Sequence, residues 1–233
     1  MSITRPSLSA LAAFAVALAA ASVLMTFFVA PEDADQGLSQ KIFYVHVPIA
    51  LTAYACFGLG AWKALRLLLT RGERYDLESY TGIHQGTIFG ALTLVTGSIW
   101  AKASWGVWWT WSSNQLVLFL VLFLFYCAYF MLRFSVEEGA RRERFSAIYA
   151  LLGIGMIPLS LGAVHLAGTI HHPTVFHHDG AAMEDTMFLT FLVSWAAFLA
   201  LAFALWRLEL RGKLLAQGVQ RLQRQLRGET VLP

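Results

Sequence analysis

The chain has 233 residues, 58% of them hydrophobic and 13% charged, with a formal net charge of +3 and a mean hydropathy of +0.60. Soluble domains carry about 25% charged residues, so this composition excludes a free-standing soluble domain. It also excludes a disordered chain, which is poor in apolar residues and rich in charge. Membrane orientation accounts for the basic excess, and no nucleic-acid partner is expected.

Six stretches run without Asp, Glu, Lys or Arg: 6–31, 42–62, 79–101, 103–132, 145–178 and 186–206. Each is long enough to cross a bilayer, which takes about 20 residues in a helix. Lipid offers no partner for an unpaired peptide group, so each stretch is expected to be helical. The first stretch is read as a retained helix rather than a signal peptide. Its apolar run exceeds the usual h-region of about 7–15 residues, and Pro31 follows Ala30 where cleavage would fall. His46 opens the second stretch in Tyr44-Val-His-Val-Pro48, with Pro48 expected in the first helical turn, where no amide donor is needed. Cys56 and Cys127 sit inside apolar runs and read as small buried hydrophobes without a disulfide framework. No alternation of the kind a β-barrel needs is present.

Beyond Trp206, Leu215, Val219, Leu222 and Leu226 recur at helical spacing, with Arg221, Arg224 and Arg227 off that stripe. Residues 207–233 therefore read as a basic amphipathic tail, lying on the inner leaflet or a partner subunit, or serving only as an anchor. Residues 1–206 form one six-span membrane domain. Of the 17 Lys and Arg residues, fifteen fall at the termini and the even-numbered connections. Only Lys41 and Lys102 fall on the other side. Cytoplasmic loops collect Lys and Arg. The expected fold is thus an all-α integral membrane protein with six transmembrane helices and both termini cytoplasmic. A tryptophan-rich segment lies at its outer surface.

Trp100, Trp105, Trp108, Trp109 and Trp111 fall within twelve residues, whereas the rest of the chain holds three tryptophans. An interfacial belt would spread aromatics over several helix ends. If 105–112 is helical, Trp105, Trp108, Trp109 and Ser112 share one face and make a flat platform, and Gly106 lets a ligand approach the backbone. Six of the seven histidines (His46, His165, His171, His172, His177 and His178) lie on the tryptophan side; His84 lies near the inner end of the third span. Imidazole is a common axial ligand of haem iron, and indoles offer apolar stacking surface to a porphyrin. Lys41 and Lys102 either pair with haem propionates or simply snorkel to the interface.

The run Trp105-Gly-Val-Trp-Trp-Thr-Trp111, preceded by Val95-Thr-Gly-Ser-Ile-Trp100, resembles the "WWD" signature of the cytochrome c assembly proteins. Together with Tyr44-Val-His-Val-Pro48, the six spans and the short length, it is similar to the CcmC family, the haem-handling membrane component of bacterial cytochrome c maturation. The resemblance covers nearly the whole chain. It implies binding of haem b at the periplasmic face of the inner membrane, with His46 and His171 as axial ligands and His172 as the alternative to His171. It implies delivery to a periplasmic haem chaperone. The partners it implies are the ATPase and membrane subunits of an ABC transporter and a small single-span accessory subunit, within membrane lipid. No enzymatic activity is implied. The family's Asp after the last tryptophan is replaced here by Ser112, which removes a charge and keeps a hydrogen-bonding group.

Three other readings compete. A haem lyase of cytochrome c assembly is larger, with more spans and further histidines. A membrane haem and quinone redox protein needs haem sites at two depths, yet His84 has no histidine near it in sequence. A metal-ion transporter built on His171, His172, His177, His178 and Asp179 leaves the tryptophans without a role.

Overall fold

The computed structural model describes residues 7–33, 36–72, 74–163, 176–177, 180–181 and 183–227. Its elements in order are α1 (Leu8–Phe28), a 3-10 turn (Leu38–Ile42), α2 (Phe43–Thr70), α3 (Arg74–Trp105), α4 (Asn114–Ser135), α5 (Ala140–Ile154), α6 (Met156–Leu161) and α7 (Asp185–Leu226). One short antiparallel pairing, Phe176–His177 with Gly180–Ala181, precedes α7. The described residues are otherwise helical, apart from turns and loops.

Among the described residues, five helical segments are long and apolar enough to cross a membrane: α1, the 3-10 turn with α2, α4, α5 with α6, and α7. The third expected span is α3, whose 32 residues reach about 48 Å. Length does not limit it; composition does. Thr81, Gln85 and Thr93 interrupt its apolar run and are buried with Ile83 and Phe89. A helix that turns polar groups inward, onto protein rather than lipid, needs less apolar surface.

The hairpin of α2 and α3 forms the centre. A Cβ on Gly82 would lie 2.8 Å from the Cα of Gly60, so the two helices meet at a distance that only glycine permits. Around this crossing Phe57 stacks on Tyr126 at 4.0 Å with an interplanar angle of 9°, beside buried Ile83 and Leu122. α1 is fastened to α7 by a buried bond between the Ser22 and Ser194 hydroxyls at 2.7 Å. Tyr54 of α2 reaches Ser160 of α6 at 2.8 Å. Arg133 of α4 donates through both terminal nitrogens to the Asp76 carboxylate at the start of α3, and both side chains are buried. Such a fork fits a carboxylate geometrically.

Three boundaries differ from the sequence reading. The 3-10 turn starts the second helix upstream, so Pro48 lies inside α2 rather than in its first turn. The fifth helix breaks at Gly155. The tail is no separate helix: α7 runs unbroken for 42 residues, about 63 Å. No turn-forming Gly or Pro interrupts the junction at Arg207, so helical hydrogen bonding carries through it. The stripe of Leu215, Val219, Leu222 and Leu226 remains exposed. Cys56 and Cys127 are free thiols, with Cys56 buried.

Candidate functional site

The end of the bundle opposite the junction of α2 with α3 brings the start of α2 beside the end of α3. His46, on α2, places its Nδ1 2.9 Å from the Thr96 hydroxyl on α3. That hydroxyl has one hydrogen, and it is donated to the Leu92 carbonyl at 2.8 Å. When the hydroxyl donates there its oxygen accepts from His46, an arrangement that keeps the proton on Nδ1 and makes Nε2 the acceptor nitrogen. Metal-binding imidazoles are commonly held this way, with one nitrogen donating to the protein and the other facing the metal. Gly97 makes the approach possible: a Cβ there would lie 2.9 Å from the His46 ring.

Trp100 is one helical turn beyond Thr96. Its ring centroid lies 5.7 Å from that of His46, and its Nε1 donates to the Gln36 side-chain carbonyl at 3.3 Å. α3 ends at Trp105, and Gly106 follows with φ +75°, a left-handed conformation that favours glycine. The 105–112 helix expected from sequence is therefore absent. The reason is local: Gly106 reverses the chain, and Lys102 donates to the Gly106 carbonyl at 2.8 Å, closing the helix end as cationic side chains commonly do.

The loop distributes the tryptophans differently from a platform. Trp105 and Trp109 line a narrow cleft with His46, Gly97, Trp100, Gln115 and Phe119. Trp108 and Trp111 are 60% and 72% exposed. Trp111 meets Trp109 edge to face at 5.6 Å. Ser112 is exposed and hydrogen-bonds the Thr110 hydroxyl at 2.7 Å.

The cleft measures about 60 Å³, room for a water or two but not for a macrocycle. Two polar atoms on its lining residues, Trp109 Nε1 and Gln115 Oε1, are buried without a hydrogen-bond partner among the described residues. Buried polar groups normally find one, so the cleft offers an unanswered donor and acceptor beside His46.

Lys41 is 8% exposed and donates to the Ala30 and Pro31 carbonyls, where it ties down the end of α1. Lys102 is exposed. His171, His172, His165 and His178 lie outside the described residues, as does the His177 side chain. His84 is elsewhere. It lies twelve residues before Thr96 on α3, about 18 Å along the helix, and its Nδ1 is 2.9 Å from the Glu209 carboxylate of α7. Sequence reasoning missed Thr96, Gly97 and Gln115. Thr96 carried a signal, since it precedes Trp100 by four residues and so shares its helix face.

A family profile described as heme exporter protein C matches residues 1–225. The heme exporter protein C of Bradyrhizobium diazoefficiens is 30% identical over 213 residues, covering 88% of this chain and 81% of that protein. That of Paracoccus denitrificans is 31% identical over 195 residues, covering 81% and 80%. A ccmC-like mitochondrial protein of Arabidopsis thaliana, named for cytochrome c biosynthesis, is 31% identical over 194 residues, covering 83% and 73%.

Proposed function

The chain belongs to the heme exporter protein C (CcmC) family, and from that premise we propose that it holds haem at the outer face of the membrane and passes it to a periplasmic haem chaperone. It is a multi-pass membrane protein of cytochrome c biogenesis, a haem-handling transport protein rather than an enzyme. The observation that carries the finer reading is His46. Its Nδ1 lies 2.9 Å from the Thr96 hydroxyl, and Trp100, Trp105 and Trp109 line the same cleft.

Haem is the cargo, and the residues fit it. His46 supplies one axial ligand, and His171, or its neighbour His172, supplies the other. The cleft is too small for the ring, so haem b lies across its open side. There Trp105 and Trp109 give stacking surface, and Trp108 and Trp111 remain outward for the chaperone. Lys102 is exposed and can exchange the Gly106 carbonyl for a propionate; Lys41 is buried against the Ala30 and Pro31 carbonyls just beyond α1. The fifteen-to-two distribution of Lys and Arg supports both termini in the cytoplasm, and the family membership supports the bacterial inner membrane. The remaining partners are the ATPase and membrane subunits of an ABC transporter and a single-span accessory subunit.

The test is haem transfer. The periplasmic haem chaperone, affinity-tagged and co-expressed with the wild-type chain, should carry haem by pyridine haemochrome. With His46→Ala it should carry little. Equal loading in the two strains would refute the reading.

A further inference from the structure

At the other end of the bundle α2, α3 and α7 enclose a second cleft of about 660 Å³. We propose that it binds the phosphate headgroup of an anionic phospholipid. Four cations line it, Lys63, Arg74, Arg207 and Arg211, against one carboxylate, Glu78. Glu78 is buried and shared: Lys63 Nζ lies 2.7 Å from one oxygen and Arg74 Nε 2.7 Å from the other. That carboxylate fixes two cations in place and leaves the lining with a positive excess. A partly enclosed cleft of one sign concentrates the opposite charge.

The ligand must also be apolar at one end. Along α7 the lining passes from Phe203 through Trp206 to Arg207 and Arg211, with the Arg207 guanidinium 6.0 Å from the Phe203 ring centre. Phe203 is exposed, within the uncharged stretch 186–206 of α7. The helix therefore passes from uncharged residues to two arginines, Arg207 and Arg211, within about 12 Å. A soluble phosphate uses only the basic half, whereas a phospholipid places acyl carbons at Phe203 and its phosphate among the arginines. Basic pockets between membrane helices are suited to such headgroups. The site lies at the end opposite His46 and does not depend on where haem binds.

The experiment uses the full chain, purified in detergent and passed through vesicles of phosphatidylglycerol or phosphatidylcholine, with retained lipid read by native mass spectrometry. Wild type should retain phosphatidylglycerol about tenfold or more over phosphatidylcholine. Arg207→Gln with Arg211→Gln should lose that preference, and Arg211→Gln alone, an exposed change that spares the fold, should weaken it. Arg224→Gln with Arg227→Gln removes the same charge from the exposed tail and should leave it intact. Four results would overturn the site. The lipids could be retained equally, or the tail variant could lose as much as the cleft variant. Millimolar inorganic phosphate could displace the lipid, marking a soluble-anion site. The cleft variant could lose haem while keeping phosphatidylglycerol, marking a site for haem carboxylates.

Discussion

His46 and Thr96 show how one hydroxyl can decide the chemistry of a site. When Thr96 donates to Leu92, its oxygen accepts from the imidazole, and His46 then presents Nε2. Thr96→Val removes that acceptor while keeping the shape, and orienting partners of this kind commonly contribute about 10–100-fold in metal affinity. Haem titration followed by absorbance should show a loss of that order for Thr96→Val and near wild-type affinity for Thr96→Ser. Equal affinity in Thr96→Val would remove Thr96 from the site. Lys41 acts differently. Lys41→Met strands the Ala30 and Pro31 carbonyls it now satisfies, a loss of about 1–3 kcal/mol. Thermal unfolding in detergent should register it, while haem per folded protein stays unchanged. His46 and the tryptophans were legible in the sequence because their residue types are rare and their spacing is dense. Thr96 and Gln115 were not, because common residues acquire meaning only from a partner, here one fifty positions away.

The segment after α3 shows what a single glycine does to an element. Helical spacing placed Trp105, Trp108 and Trp109 on one face, but periodicity cannot show where a helix stops. Gly106 at φ +75° splits the tryptophans into a cleft wall, Trp105 and Trp109, and an exposed pair, Trp108 and Trp111. The two groups should separate functionally. Trp109→Ala should lower haem per protein by pyridine haemochrome. Trp108→Ala with Trp111→Ala should keep most of the haem but reduce co-purification of the periplasmic haem chaperone. Similar haem loss in both variants would mean that the split has no functional consequence. α3 itself was legible as a long helix from the uncharged stretch 79–101, though it is not one of the five described segments apolar enough to cross a membrane. Its reason for tolerating polar residues was not, because only its packing against α2 shows that Thr81 and Gln85 are buried.

Across the whole molecule, the distribution of Lys and Arg is the argument for one orientation, and a buried ion pair helps to hold the bundle. Arg133 and Asp76, on α4 and α3, are 4% and 6% exposed. Arg133→Ala leaves Asp76 buried without its cation, and breaking such pairs costs about 3–5 kcal/mol. The yield of monodisperse protein should fall sharply, and Asp76→Asn added to Arg133→Ala should restore part of it. No recovery would mean that the packing of Arg133, rather than its charge, is what matters. The outer position of the tryptophan loop rests on the distribution of Lys and Arg. A cysteine at exposed Ser104, with Cys56 and Cys127 replaced, should react with an impermeant maleimide from the periplasmic side; labelling only from the cytoplasm would invert the topology. Five of the six expected spans were legible as long apolar helices among the described residues, because lipid imposes a composition on every segment it touches. The tail's continuity with α7 was not, since a change in composition at Arg207 need not be a change in conformation.

Absorption spectroscopy of the purified protein, beside its His46→Ala and His84→Ala variants at matched concentration, tests the central claim most directly. His46 lies among indoles beside Thr96, whereas His84 is held by Glu209 about 18 Å away along α3. The wild type and His84→Ala should both show the Soret band of a histidine-ligated haem, and His46→Ala should lose or strongly shift it. An unchanged Soret band in His46→Ala, or its loss in His84→Ala alone, would contradict the account.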